Sequence, residues 1–451
     1  MKFDKIKGFC RHHPNWIALI LGIIFVFSNL VISNNTRKDG LRYIFWSDGL
    51  AYYCYLPSAF IFHDLDKFTY GGNSPVTGKP VNKVTAGVAM LQAPFFFIAY
   101  GVASMSTPQP ECLSETYEFC ITMGTLTYVY LALLMLFSVL KQYVKPKSAF
   151  LSLLIIYLGS NLYYYSVGES GMSHAYSFFT ISWFIWSLHH FLKTPNWKNS
   201  LQMGLSIGLS VLIRPTNILI AGLPFLLSVN DFKGLSARFT WLIKQPYTYL
   251  GVCFAFLALL PQLVYWKVQS GSFFYYSYPG ETFAYLTSPH IRDVLFGNVA
   301  GLFTYSPLLL FFIPGLYFMF KRNHRFSAIG ILLIFSAITY LNSSWWIPTF
   351  DCSYGHRAFI EYFPMLTLPI AFAMDALFHH WKACFISALI TLLVFVNVRM
   401  SYLYKKYPCW RSDYGINWTW KNVAYVYRVV FFIDSRPSNH FRMIESGKSA
   451  K

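Results

Sequence analysis

Acid–base and anion-binding chemistry has a small set of carriers in this sequence, and they stand at the ends of long apolar stretches. An ionisable group at bilayer depth costs about 2.5–3.5 kcal/mol on insertion scales, so it needs a partner or a task. Asp48 lies in FWSDGLAYY. Its carboxylate can take a proton from a hydroxyl or an amine; Ser47 and Asp48 equally suit the start of a helix. Tyr52 and Tyr53 close the same segment and are candidates to line a cavity beside Asp48. Asp64 and Asp66, in HDLD, offer hard oxygen ligands to a divalent cation, or simply end a surface helix. Lys83, in VNKVTAGVAMLQAPFF, can meet a phosphate or anchor a helix end by snorkelling.

Glu169 and His174 occupy YYYSVGESGMSHAYSFF, where Gly168 and Gly171 allow a sharp turn. No G-x-S-x-G elbow is present, so a hydrolase triad is disfavoured. Hydrogen bonding to a polar substrate and a self-satisfied loop are the two readings. Arg214 opens RPTN inside an apolar region and requires an anionic or carbonyl partner, either a bound anion or a helix-end acid. The densest cluster is NSSWWIPTFDCSYGHRAFIEYFPMLTLPIA, residues 342–371. His356 and Arg357 are anion donors there, with Glu361 about one turn beyond. Trp345, Trp346 and Tyr354 offer ring faces to a sugar or prenyl chain, although Trp pairs also anchor helices at the membrane boundary.

The elements that must position these groups are membrane helices. Of 451 residues, 55% are hydrophobic and only 12% charged, with a mean hydropathy of +0.42. A soluble domain is nearer a quarter charged, so an ordinary soluble enzyme and a disordered chain are both excluded. Lys+Arg number 36 against 18 Asp+Glu. No nucleic-acid-binding motif accompanies that excess, which fits basic loops that orient helices. The eight cysteines form no CxxC pair, which argues against a zinc site. Cys54, Cys112, Cys352 and Cys409 fall in or near outer segments, and spacing selects no disulfide among them.

The stretch 16–33 follows a basic start and reads as an uncleaved first span with a cytoplasmic N-terminus. Residues 34–85 form a long first outer loop with interfacial amphipathic helices. Further apolar stretches run at 86–104, 119–140, 149–165, 174–191, 201–229, 247–266, 299–320, 328–341, 359–378 and 384–402. RPTN divides 201–229 into two short helices. Basic loops at 141–147, 189–198, 230–245, 321–325 and 379–382 are placed inside. Stretch 86–104 fits this alternation poorly and reads as re-entrant, or as one of a pair with 50–63. The expectation is an all-α polytopic protein of about 11–13 transmembrane helices, with a catalytic membrane region 1–402 and an outer C-terminal tail 403–451.

Four pieces carry a family resemblance: SDGLAYY, NKVTAGVAMLQAPFF, LSVLIRPTNILI and WW…YGHRAFIEYFPMLTLPIA. In this order they resemble the GT-C superfamily, polytopic glycosyltransferases that use polyprenyl-phosphate sugars at the outer face, nearest to bacterial protein O-mannosyltransferase and aminoarabinose transferase relatives. The resemblance spans roughly residues 16–402. It implies Asp48 as base, and Lys83, Arg214, His356 and Arg357 around the donor phosphate. The residues read above as candidates to line the substrate cavity around them are Tyr52, Tyr53, Glu169, His174, Trp345, Trp346, Tyr354 and Glu361. The acceptor is a lipid, glycan or protein, and the location a bacterial inner membrane. Many relatives have two adjacent acids in the first loop, whereas Ser47 and Gly49 flank Asp48 here; this departure counts against dependence on a divalent cation, for which Asp64 and Asp66 are the candidates. The tail after 402 is short, so acceptor recognition falls to the loops. The competing class is a lipid or glycan transporter, which would show polar groups at the midplane on broken helices.

Overall fold

The computed structural model describes residue 22 and residues 44–105, 111–350, 353–378 and 383–406. Apart from Gly22, the expected first span 16–33 lies outside them, as do the basic segment 379–382, Cys352, Cys409 and the tail beyond 406.

The described chain is helical, apart from an isolated antiparallel bridge between Asn73 and Pro80. Two short helices, α1 (Ser47–Tyr53) and α2 (Tyr55–Phe60), open it. Then follow α3 (Gly87–Ser104), α4 (Glu115–Leu140), α5 (Pro146–Leu158), α6 (Leu162–Val167), α7 (Ser173–Lys193) and α8 (Trp197–Ile213). A 3-10 turn (Pro215–Gly222) leads to α9 (Leu223–Leu226), α10 (Phe232–Lys244) and α11 (Pro246–Ser270). After a long loop come α12 (Ile291–Phe296), α13 (Leu302–Tyr305), a 3-10 turn (Pro307–Phe311), α14 (Phe312–Lys321) and α15 (Arg325–Ser343). A 3-10 turn (Arg357–Tyr362) runs into α16 (Phe363–Leu377), and α17 (Ala383–Lys406) closes the set.

Among the described residues, six helical segments are long and apolar enough to cross a membrane: α3, α4, α11, α15, Arg357–Leu377 and Ala383–Ser401. The chain is a multi-pass membrane protein. Three shorter apolar segments join them, Pro146–Leu158, Pro215–Leu226 and Pro307–Lys321. Several expected spans are interrupted. Stretch 149–165 breaks between α5 and α6, and 299–320 breaks at Ser306, before Pro307. Ser306 leaves helical geometry, with φ −133° and ψ 60°, and Pro307, which has no N–H to continue a helix, begins the 3-10 turn.

RPTN breaks its stretch as expected, and each of its residues has a task. Arg214 leaves helical geometry, with φ −147° and ψ 122°. Pro215 starts the 3-10 turn. Asn217 Nδ2 donates to the Ser210 carbonyl at 3.0 Å, satisfying an acceptor near the end of α8. The Thr216 carbonyl accepts the Tyr362 hydroxyl at 2.9 Å.

The basic loops gather at one end of the bundle. Arg322 pairs with Asp375 at 2.7 Å, and Ser148 Oγ donates to the same carboxylate at 3.0 Å. Tyr143 lies against His189 and His324. This joins the 141–147, 189–198 and 321–325 loops.

Helix α3 explains why its stretch fits no alternation. Gly87 sits against Ile213 at the top of α8, and the Leu91 carbonyl accepts the Tyr128 hydroxyl at 2.8 Å. Phe96 then meets Tyr117. The helix therefore starts partway up α4 and runs antiparallel to its distal half, away from the basic end, although its length would suffice for a crossing.

Candidate functional site

Two loops and two helix ends converge at the end of α8 opposite the basic loops. The approach of α1 to the 168–172 turn depends on two glycines. A Cβ on Gly49 would stand 2.4 Å from the Ile44 carbonyl oxygen, and one on Gly171 would stand 2.5 Å from the same atom. Only a residue without a side chain lets the backbones meet this closely. Neither Gly168 nor Gly171 has a positive φ, so the expected sharp-turn role is replaced by close packing. Thr125 of α4 donates to the Ser170 carbonyl at 2.9 Å and holds the turn from the other side.

Asp48 lies in the first turn of α1, beside Ser47, whose φ is +48°. A serine in the left-handed region is uncommon, and such strain clusters at functional sites. Arg357 Nη2 is 3.6 Å from Asp48 Oδ2, with the side chains 17% and 30% exposed. Both thus retain an open face. Arg214 Nε is 3.1 Å from Glu361 Oε1, the arginine 22% exposed and the glutamate 1%. His174 Nδ1 is 3.2 Å from that same carboxylate oxygen. Lys83 Nζ is 2.6 Å from Glu281 Oε1, with both side chains partly open.

The arrangement has two rows. In front stand Asp48, Arg357, Arg214 and Lys83. Behind them, buried, stand Glu361, His174 and Glu169. Glu169 Oε1 accepts the Tyr164 hydroxyl at 2.8 Å. Burial raises its carboxyl to about 7, Arg357 and the Tyr164 bond opposing, while Asp48 adds to the rise. Glu169 Oε2, Glu361 Oε2, His174 Nε2 and Arg357 Nε are buried without hydrogen-bond partners. Such atoms are rare in folded proteins; their concentration here gives the site spare capacity for a polar ligand. Tyr52 is buried beside this group, with Arg214, Asp48 and Glu361 all acting on its hydroxyl.

The other sequence candidates do not join the charged rows. Tyr53 points into an apolar cluster with Phe45, Phe96 and Tyr117, and its hydroxyl donates to the Cys112 carbonyl at 2.7 Å. Tyr354 donates to Asn397 of α17 at 2.8 Å and meets Tyr164 and Tyr305 edge-on and Tyr404 at a tilt. His356 Nε2 engages the Pro348 carbonyl at 2.9 Å while its ring meets Phe350 and Phe359. These bonds anchor the residues just ahead of the Arg357–Tyr362 turn. Trp345 packs on Phe283; the Trp346 N–H donates to the Thr282 carbonyl at 3.0 Å, and its ring is exposed. Asp66 accepts from Gln269 at 2.6 Å, and Asp64 accepts the Asp66 N–H at 3.0 Å. Asp66 thus ties the first loop to α11, while Asp64 closes a local turn within that loop. Among the described residues no three His, Cys, Asp or Glu side chains group as a metal site would need. Cys54 and Cys112 are free thiols.

Sequence reasoning passed over three participants. Phe350, at φ +52°, lies under both Arg214 and Arg357, at 5.9 and 6.0 Å. A bulky residue at positive φ is a genuine outlier, and the ring supports both guanidinium planes. Tyr278 lies under Lys83 at 5.2 Å, and Glu281 pairs with it. Both belong to the 271–290 loop, whose only sequence signal was a lack of basic residues.

No protein-family model and no curated protein matches the chain. Among solved structures, the oligosaccharyltransferase of Archaeoglobus fulgidus in the apo form is similar, at 14% identity and a TM-score of 0.52. That match covers 97% of this chain and 60% of the other. The same enzyme tethered to an acceptor peptide gives 14% identity and a TM-score of 0.49, over 88% and 55%. This chain therefore spans at most about 60% of that protein's length. At this identity the likeness is one of fold: an all-α, multi-pass membrane architecture of the GT-C type.

Proposed function

We propose that the chain is a membrane glycosyltransferase that moves a sugar from a polyprenyl-phosphate donor to a hydroxyl- or amine-bearing acceptor, at the membrane face opposite the basic loops. The observation that carries the reading is the pairing of Asp48 with Arg357. A carboxylate and a guanidinium far apart in the sequence meet with open faces on one side. That is what a reaction needs when it generates a phosphate anion and consumes an acceptor proton.

In the proposed step the acceptor oxygen or nitrogen attacks the anomeric carbon. Its proton passes to Asp48. The bond from the anomeric carbon to the phosphate oxygen breaks, and the electron pair leaves with the phosphate. Arg357, Arg214 and Lys83 hold that developing charge. Preorganised donors of this kind are worth roughly 3–4 kcal/mol each in a water-poor site. Glu361 and His174 fix Arg214 from behind. Direct displacement inverts the anomeric centre.

Transfer by the purified protein from a polyprenyl-phosphate hexose or pentose, with acceptor extracts, tests this. Asp48→Asn is expected to bind donor and to lose about 100- to 10,000-fold in turnover, the range for a general base. Arg357→Ala is expected to weaken donor binding. Full turnover in Asp48→Asn, or unchanged donor affinity in Arg357→Ala, overturns the corresponding role.

A further inference from the structure

The basic end carries a second site. A cavity of about 240 Å³ opens between α4, α7, α9, α15 and α16. Its walls include Leu136, Ile185, Leu223 and Ile331. One water takes up roughly 30 Å³, so the space accepts a run of several methylenes. Walls of this kind do not hold water well, since water needs two to four polar partners.

Thr367 also lines the cavity, but its hydroxyl is spent on the Pro364 carbonyl at 2.7 Å. The other polar side chains are Tyr143, His189, Lys193, Ser228 and Arg238, and Ser228 and Arg238 continue through the mouth into the open groove beyond. Arg238 is held by neutral groups, its Nη1 donating to the Pro224 and Leu227 carbonyls, each at 3.2 Å. Lys193 Nζ donates to Gln142 Oε1, which also meets His189 Nε2 at 3.1 Å. Tyr143 Oη and Ser228 Oγ are 3.1 Å apart. No carboxylate is paired with Lys193 or Arg238 among the described ion pairs. Past the mouth, Leu192, Ser228 and Arg238 also line an open groove along α10. Asp231 is the carboxylate in that groove, and its Oδ1 is engaged by the Gly234 N–H at 2.6 Å. Two cations without acid partners thus stand at the entrance of an apolar slot.

We propose that this cavity binds one anionic phospholipid from the leaflet at the basic end, an acyl chain in the slot and the headgroup phosphate between Lys193 and Arg238. Helix α10 is placed to hold such a lipid. Its Asp231 cap starts it, Phe232, Phe239 and Ile243 are exposed on it, and Lys233 and Lys244 flank them. A helix of this composition lies in the headgroup–acyl boundary, where basic pockets between helices collect anionic headgroups. The charge argument selects a phospholipid with a net negative headgroup over a zwitterionic one.

Delipidated protein in detergent, titrated with phosphatidylglycerol, phosphatidylcholine or glycerol phosphate, tests this by thermal shift and native mass spectrometry. Phosphatidylglycerol is expected to stabilise the protein and remain bound at one copy, in preference to phosphatidylcholine. Lys193→Gln, at an exposed position, is expected to weaken phosphatidylglycerol binding about fivefold while leaving the lipid-free melting temperature unchanged. Leu192→Trp, which fills the neck, is expected to remove the preference. Equal response to the two phospholipids, or unaltered preference in both variants, overturns the proposal. A matching shift with glycerol phosphate alone also overturns it, in favour of a simple anion site.

Discussion

At the scale of single residues, Glu361 bears more than one burden. One of its oxygens faces both Arg214 and His174, and the side chain is buried. Glu361→Gln leaves Arg214 without its counter-charge. Breaking a buried pair by removing one partner costs about 3–5 kcal/mol, and the open face of Arg214 places this case near the lower end. A clear fall in melting temperature in detergent is expected, and an unchanged one would show that water already compensates Arg214. Glu169 makes a prediction about pH. Its carboxyl is raised from 4.5 to about 7, so between these values the native state keeps a proton that the unfolded chain has lost. The associated stability is complete below about 4.5 and is lost as pH rises through about 7. Glu169→Gln cannot titrate. The melting temperature of the variant relative to the parent should climb across that window and level off above it. A flat difference would mean that Glu169 does not carry this titration.

At the scale of elements, the contact between α1 and the 168–172 turn sets where Asp48 stands. Gly171→Ala places a Cβ against the Ile44 carbonyl, a backbone atom that cannot turn aside. Overpacking of this sort costs about 1–3 kcal/mol, and displacement of α1 should lower turnover with it. Gly101→Ala is the control, because a Cβ there meets nothing within 4 Å. Equal loss in both variants would dissociate the site from this contact. The same elements explain what a reader of the sequence could see. The RPTN break was legible because proline chemistry is local. The RPTN, 168–174 and SDGLAYY segments were recognisable by the cost of their charges. His356 and Tyr354 have site-like chemistry, yet their bonds go to a loop carbonyl and to Asn397; residue type says nothing of such partners. Phe350, Tyr278 and Glu281 come from loops whose positions are set only by tertiary packing. Hydropathy marked the 86–104 stretch as apolar but carried no information on its depth against α4.

At the scale of the whole molecule, the two polar ends are unequal in depth. Thr125, which holds the site turn, lies fifteen residues before the basic end of α4 at Leu140, or about 22 Å at 1.5 Å per residue. Gln262, whose Oε1 accepts the Ala86 N–H, lies sixteen residues beyond Pro246 on α11, or about 24 Å. A hydrocarbon core is about 30 Å thick. The front row of charges is thus recessed below the far end of α11, backed by Phe350 and the 271–290 loop, whereas Lys193 stands at the surface. Dissolved ions reach these places differently. Mobile counter-ions weaken exposed charges beyond about 10 Å at 0.1 M and act far less on enclosed ones. Added sodium chloride should therefore release phosphatidylglycerol from the basic end and leave sugar transfer nearly constant. Parallel decline of both would place the Asp48–Arg357 pair in open electrolyte.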